Sequence, residues 1–127
     1  MKTILVDAIN TLVIVGEGIY QPMFDLLEQY PNRKIILTGA DDEQMKEFGL
    51  DKMPYEVFTL KHNPEKFDSA YYEIMLAHFG LSKDDVIYFE HNEDAIKSAH
   101  SVGITTHHYD KDKKDLTALK QFLDINL

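Results

Sequence analysis

Four polar groupings in this sequence have the types and spacing to do chemistry on an anionic oxygen, and each follows an apolar run or precedes a helix-like one. Asp7 closes the run Thr3 to Val6, and Thr11 follows it four residues later. A carboxylate at a strand end can act as a nucleophile, while a nearby hydroxyl and the amides of the turn hold a substrate oxygen or orient the acid. An Asp that merely caps a turn reads the same way. Thr38-Gly39, after Lys34 to Leu37, offers a hydroxyl and a glycine amide suited to donate to an anion, or forms a plain turn. A lysine, Lys61 or Lys66, stands ahead of an amphipathic stretch as a site cation or a solvated side chain. The fourth grouping, Glu90-His91-Asn92-Glu93-Asp94, carries acids suited to a hard cation and a histidine suited to a transition metal or a phosphate.

Positioning these groups requires strand ends that converge. Runs at Thr3–Val6, Lys34–Leu37, Tyr55–Leu60, Val86–Phe89 and Ile104–Thr106 read as strands. Between them, Thr11 to Tyr20 reads as a small hairpin with a Gly16-Glu17-Gly18 turn. A helix begins near Pro22, with Tyr20, Phe24 and Leu27 at helical spacing. Asp41 or Asp42 caps a short helix that reaches Phe48-Gly49. A longer one is expected from Lys66 to Phe79, with Ala70, Ile74 and Ala77 inward and Gly80 at its end. Asn92 caps the next, with Ala95, Ile96, Ala99 and Val102 inward and Gly103 closing it, and Leu116, Leu119, Phe122 and Leu123 mark the last. Alternating elements with nearly all-apolar strands predict an α/β, Rossmann-like open parallel sheet of about five strands with helices on both faces. In such sheets ligands bind at the carboxyl ends of the strands, where all four polar groupings fall.

The chain has 127 residues, which predicts a single domain spanning residues 1–127. Its 13 Lys+Arg against 22 Asp+Glu give a net charge of −9, which argues against a nucleic-acid partner, since phosphate backbones are met by clustered basic residues. The basic residues Lys111, Lys113 and Lys114 alternate with Asp110, Asp112 and Asp115, as in a solvated turn. Cysteine is absent, which removes disulfides, thiolate metal sites and a cysteine nucleophile together. The apolar run at the amino terminus is too short for a signal or spanning segment, so a cytoplasmic protein with no membrane partner is expected.

The order of Asp7-x-x-x-Thr11 on the first strand, Thr38 on the second, a lysine before a helix and a polar cluster after the fourth resembles the haloacid dehalogenase-like (HAD) superfamily. The hairpin after Thr11 is similar to the flap that follows that family's first motif. The resemblance runs from Lys2 to about Tyr109 and implies a phosphatase or phosphotransferase type of hydrolase. In that scheme Asp7 forms an aspartyl-phosphate, Thr11, Thr38 and Gly39 hold phosphoryl oxygens, and a lysine stabilises charge. Lys66 fits the family's spacing to the helix end at Gly80, whereas Lys61 with Pro64 fits its local text but lies too early. The segments between Thr11 and Thr38 and between Thr38 and Lys66 are consumed by a hairpin, helices and a strand, which leaves no room for a cap domain. An uncapped site would suit a macromolecular or extended phosphorylated substrate.

Three positions depart from the family pattern. Ile9 stands where its phosphatases carry the general acid and base, and an isoleucine transfers no proton. His91 and Ala95 stand where acids are expected to help hold Mg²⁺. A Mg²⁺ site would then have to draw on Asp7, Glu90, His91 and Asp94, and a one-residue shift on a helix turns a side chain by ~100°, aiming Asp94 away from the Ala95 position. Two readings follow: a capless phosphohydrolase or phosphotransferase acting on a phosphorylated substrate, and a catalytically inactive relative that serves as a binding or regulatory module for a protein partner.

Overall fold

The computed structural model describes residues 1–127. Five parallel strands form the central sheet: β1 (Thr3–Asp7), β4 (Lys34–Thr38), β5 (Glu56–Thr59), β6 (Val86–Glu90) and β7 (Thr105–His108), in the order β5-β4-β1-β6-β7. A separate antiparallel ribbon, β2 (Val13–Ile14) with β3 (Gly18–Ile19), is the hairpin expected after Thr11. Helices α1 (Gln21–Leu27), α2 (Asp42–Glu47), α3 (Ser69–Phe79), α4 (Glu93–Ser101) and α5 (Leu116–Asn126) complete the chain. The ribbon and α1 fill the first insertion point, and α2 with β5 fills the second, so neither holds a cap. No helix is long and apolar enough to cross a membrane.

Strand side chains alternate between faces, and here both faces are covered. Ile4, Val6, Ile36, Ile87 and Phe89 pack with Met23 and Leu27 of α1 and Leu119 and Leu123 of α5. Leu5, Ile35, Leu37, Val86 and Tyr88 pack with Tyr71, Tyr72 and Met75 of α3 and Ala99 of α4. β1 lies in the middle, paired with β4 on one side and β6 on the other, so the chain leaves it in two directions and opens a crevice at its carboxyl end. Asp7 closes β1 and Glu90 closes β6. Because Val6 pairs with Phe89, the next residue on each strand brings these two carboxylates side by side.

Two helical faces differ from the periodicity. In α3 the buried residues are Tyr71, Tyr72 and Met75, while Ile74 is 43% exposed and Ala77 is exposed. The tyrosines win the inner face because each combines a large apolar ring with a hydroxyl that finds a partner: Tyr71 donates to the Thr38 carbonyl at 2.7 Å, and Tyr72 Oη lies 3.5 Å from that of Tyr88. The helix begins at Ser69, capped by Asp68, and ends at Gly80, whose left-handed φ of 65° suits a residue without Cβ. In α1, Met23, Leu26 and Leu27 are buried, and Tyr20 and Phe24 are only partly covered. Asp41 caps α2 through a reciprocal box with Gln44, and Asn92 caps α4 by accepting from the Ala95 amide at 3.1 Å.

The α3 assignment separates two neighbouring substitutions. Met75→Ala is expected to cost about 2–5 kcal/mol, the usual range for truncating a buried side chain, and Ile74→Ala at most about 0.5 kcal/mol. Urea unfolding of both variants checks this, and equal losses would restore Ile74 to the core.

Candidate functional site

Asp7, 2% exposed, is the centre of the site, and both of its oxygens are engaged. Oδ1 accepts from Lys66 Nζ at 2.8 Å. Oδ2 accepts from the Thr11 hydroxyl at 2.6 Å, from His91 Nδ1 at 2.5 Å and from the His91 backbone amide at 3.3 Å. Glu90, 1% exposed, binds the same two cations: Oε1 lies 2.5 Å from Lys66 Nζ, and Oε2 lies 3.2 Å from His91 Nδ1. Lys66 uses its third proton on the Leu37 carbonyl at 3.1 Å, so the ammonium is fully satisfied. Two carboxylates and two cations thus form a closed quartet, and no buried side-chain polar atom in the protein lacks a partner.

This arrangement fixes the charge states. Burial alone would push the Asp7 carboxyl upward, but the Lys66 charge and the hydrogen bond from His91 outweigh it and hold the group far below the usual carboxylate range. Burial likewise opposes charge on Lys66, and Asp7 and Glu90 overcome it, raising its pKa well above the ordinary lysine value. For His91 burial again opposes protonation, and hydrogen bonds to Asp7 and Glu90 prevail, raising its pKa from 6.5 to about 9. His91 is therefore an imidazolium at neutral pH.

The structure brings Asp7, Thr11, Lys66, Glu90 and His91 into direct contact. Thr38 and Gly39 line the same cavity, about 350 Å³ in volume, with Thr38 Oγ1 held by the Ala40 amide at 3.2 Å. Ile9 and Ala95 also line it, at two of the three positions where acids were expected, His91 being the third. Asp7, Glu90 and His91 present ligand atoms within 4.8 Å of one another, a grouping that could hold a metal ion. Asp94 lies outside it, exposed in the first turn of α4, because the buried residue at the start of that helix is Ala95. Lys61 is an exposed partner of Asp42 at 3.2 Å, and it is Lys66 that reaches the acids.

Several contributors escaped the sequence reading. Tyr88 donates a short hydrogen bond to Glu90 Oε1 from two residues earlier on β6, and that i, i+2 spacing on one strand face was the available signal. His108 ends β7, where Glu90 pairs with it, and its Nε2 lies 2.8 Å from the His91 carbonyl. Nothing in the sequence marks that contact. His107 turns away and stacks on Phe122 of α5. Gln44, His62 and Glu65 form an outer wall of the cavity that motif spacing does not reveal.

Comparison with solved structures places this architecture among several others. A HAD-family enzyme from Bacteroides thetaiotaomicron, solved as an aspartate-to-alanine mutant in complex with magnesium and inorganic phosphate, superposes with a TM-score of 0.70 at 11% identity, covering 87% of this chain and 95% of that one. The core domain of a candidate phosphoglycolate phosphatase from Streptococcus pneumoniae gives a TM-score of 0.63 at 13% identity over 98% and 96%. A conserved haloacid dehalogenase-like protein of unknown function from Agrobacterium tumefaciens gives 0.58 at 17%, covering 84% of this chain and 61% of its own. At these identities the likeness is one of fold. No protein-family model and no curated protein matches the sequence.

The His91 charge has a thermodynamic consequence. Because its folded pKa lies above its ordinary one, its stabilising contribution is full below pH 6.5 and is lost as the pH rises through about 9. Melting temperatures measured across this window should fall in the wild type and flatten in His91→Gln. An equal fall in both proteins would show that His91 is not the titrating cation.

Proposed function

From the haloacid dehalogenase-like fold in a capless form, which this chain has, we propose that the protein binds phosphorylated ligands at Asp7 and is impaired in hydrolysing them. The observation that carries this reading is Ile9 lining the cavity beside Asp7, with every ionisable group in contact with that carboxylate already paired. Asp7 is the phosphoryl-accepting carboxylate of the family scheme, with Thr11 orienting it. Thr38 and the amide of Gly39 offer donors to phosphoryl oxygens, and Lys66 with His91 supplies positive charge. What is missing is a group to protonate a leaving oxygen and then deprotonate a water. Lys66 spends its protons on Asp7, Glu90 and the Leu37 carbonyl, and His91, an imidazolium whose Nδ1 proton faces two acids, has no lone pair with which to take a proton from water. Such a site retains a phosphoryl group better than it turns one over.

Magnesium, present in the B. thetaiotaomicron complex, tests the donor set further. Asp7 and Glu90 provide oxygen donors of the kind Mg²⁺ takes, and when bound there the ion would add positive charge beside a phosphoryl oxygen. His91 stands on the same oxygens, as an imidazole that a hard cation does not favour as a ligand. In this reading the imidazolium serves as the resting counter-charge, and Asp7 and Glu90 are the residues that would hold Mg²⁺ in its place.

Two measurements test the proposal. Wild-type protein should bind orthovanadate and inorganic phosphate yet hydrolyse an activated aryl phosphate about 10²-fold or more slowly than Ile9→Asp, the usual worth of a positioned general acid and base. Wild-type turnover equal to that of Ile9→Asp would establish an active phosphohydrolase instead, and failure to bind either anion would overturn the phosphoryl reading. Separately, Mg²⁺ should raise the melting temperature of His91→Asp more than that of the wild type, since specific binding to the folded state stabilises it. A larger rise in the wild type would make His91 a ligand rather than a substitute for one.

A further inference from the structure

The cavity of about 350 Å³ falls within the range of small-molecule sites, ~300–1,000 Å³, and extends well past the phosphoryl-binding floor formed by Asp7, Thr38 and Lys66. Its outer wall is built from two segments fastened to each other. His62 Nδ1 lies 2.8 Å from Glu65 Oε1, and His62 Nε2 lies 2.5 Å from Gln44 Oε1. Gln44 Oε1 also accepts from the Asp41 amide at 3.0 Å, which fixes the orientation of its amide group. Lys61 pairs with Asp42, so the segment between β5 and α3 is tied to α2 at two points, and just beside them Thr59 Oγ1, at the end of β5, donates to the Ala40 carbonyl at 2.6 Å. Glu65 and His62 overhang the Thr38-Gly39 turn: a methyl group at Gly39 would lie 3.5 Å from Glu65 Oε2 and from His62 Nδ1.

These contacts consume both nitrogens of His62 and the carbonyl oxygen of Gln44. Glu65 Oε2, an acceptor, and the Gln44 amide nitrogen, a donor, take no part in them, and Ile9 and Phe48 supply apolar lining for a short carbon skeleton. A carboxylate acceptor favours hydroxyl or ammonium groups on a ligand and repels a second carboxylate. We infer that the cavity takes a small phosphomonoester whose leaving group carries hydroxyl or ammonium donors, recognised by the Glu65 carboxylate, with the Gln44 amide donating to the oxygen of a hydroxyl. This inference rests on the phosphoryl-binding reading above and names its ligand class. It assigns to α2 and the segment before α3 the enclosing role of a cap, and it replaces the macromolecular substrate expected of an uncapped site.

Calorimetric titrations with inorganic phosphate, glycerol phosphate, phosphoethanolamine and phosphoglycolate test it. Glycerol phosphate and phosphoethanolamine should bind about tenfold or more tightly than inorganic phosphate and phosphoglycolate, the worth of one hydrogen bond to a charged group. Glu65→Gln should remove about tenfold of that preference and leave inorganic phosphate unchanged. Should Glu65→Gln alter the melting temperature, Glu65→Ala carries the same comparison, with each variant's inorganic phosphate affinity as its internal reference. Phosphoglycolate binding as tightly as glycerol phosphate, or an equal loss for every ligand in the variant, would overturn the assignment while leaving the phosphoryl site standing. Failure of inorganic phosphate to bind would overturn both.

Discussion

Two carboxylates end adjacent parallel strands in register, buried and facing the same way, and the rest of the site is arranged to make that tolerable. Removing an acid from water costs several kcal/mol unless opposite charge and hydrogen bonds replace the lost hydration. Lys66 spans Asp7 and Glu90 from the α3 side, and His91 spans their other two oxygens from the start of the β6–α4 turn. Each cation contacts both acids and each acid contacts both cations, so no one of the four can be altered without stranding its partners. Tyr88 beneath Glu90 and His108 behind the His91 backbone extend this support into the sheet.

The quartet also explains how the fold can keep a nucleophile-like aspartate while losing other acids of the pattern. A histidine on Asp7 gives the carboxylate an internal counter-charge in a place where the family resemblance expects an acid that helps bind a cation. Ile9 and Ala95, both lining the cavity, stand where the resemblance expects a proton carrier and a further acid, and neither leaves a charge unpaired. The charges of the site are fully paired, and in the proposed reading its catalytic set is incomplete, so the two properties have different residues behind them.

Much of this was legible along the chain. Apolar strands ending in polar residues located the crevice, and Asp7, Thr11, Thr38, Gly39 and Lys66 were all placed at it. Lys66 could be preferred to Lys61 by its spacing from Gly80. The inner face of α3 was legible only in part: helical spacing pointed to burial of some of Tyr71, Tyr72 and Phe79 but also set Ile74 inward, and what decides for Tyr71 and Tyr72 is that their hydroxyls find partners in β4 and β6. Asp94 was legible in part at the site: its nearness to Glu90 put it among the possible ligands, while the ~100° turn per helical residue aimed it away, and the structure leaves it exposed in the first turn of α4.

The sequence by itself determined the class of the fold, the absence of room for a cap and the non-acidic residues Ile9, His91 and Ala95 where the resemblance expects acids, because these depend on residue type and local spacing. Only the tertiary structure decided that Glu90 and His91 join Lys66 around Asp7, and that Gln44, His62 and Glu65 wall the cavity. Those contacts join β1, β6 and the segment before α3, or that segment and α2, and they are set by strand order and register. Parallel pairing brings distant strand ends together in a way that no spacing along the chain encodes.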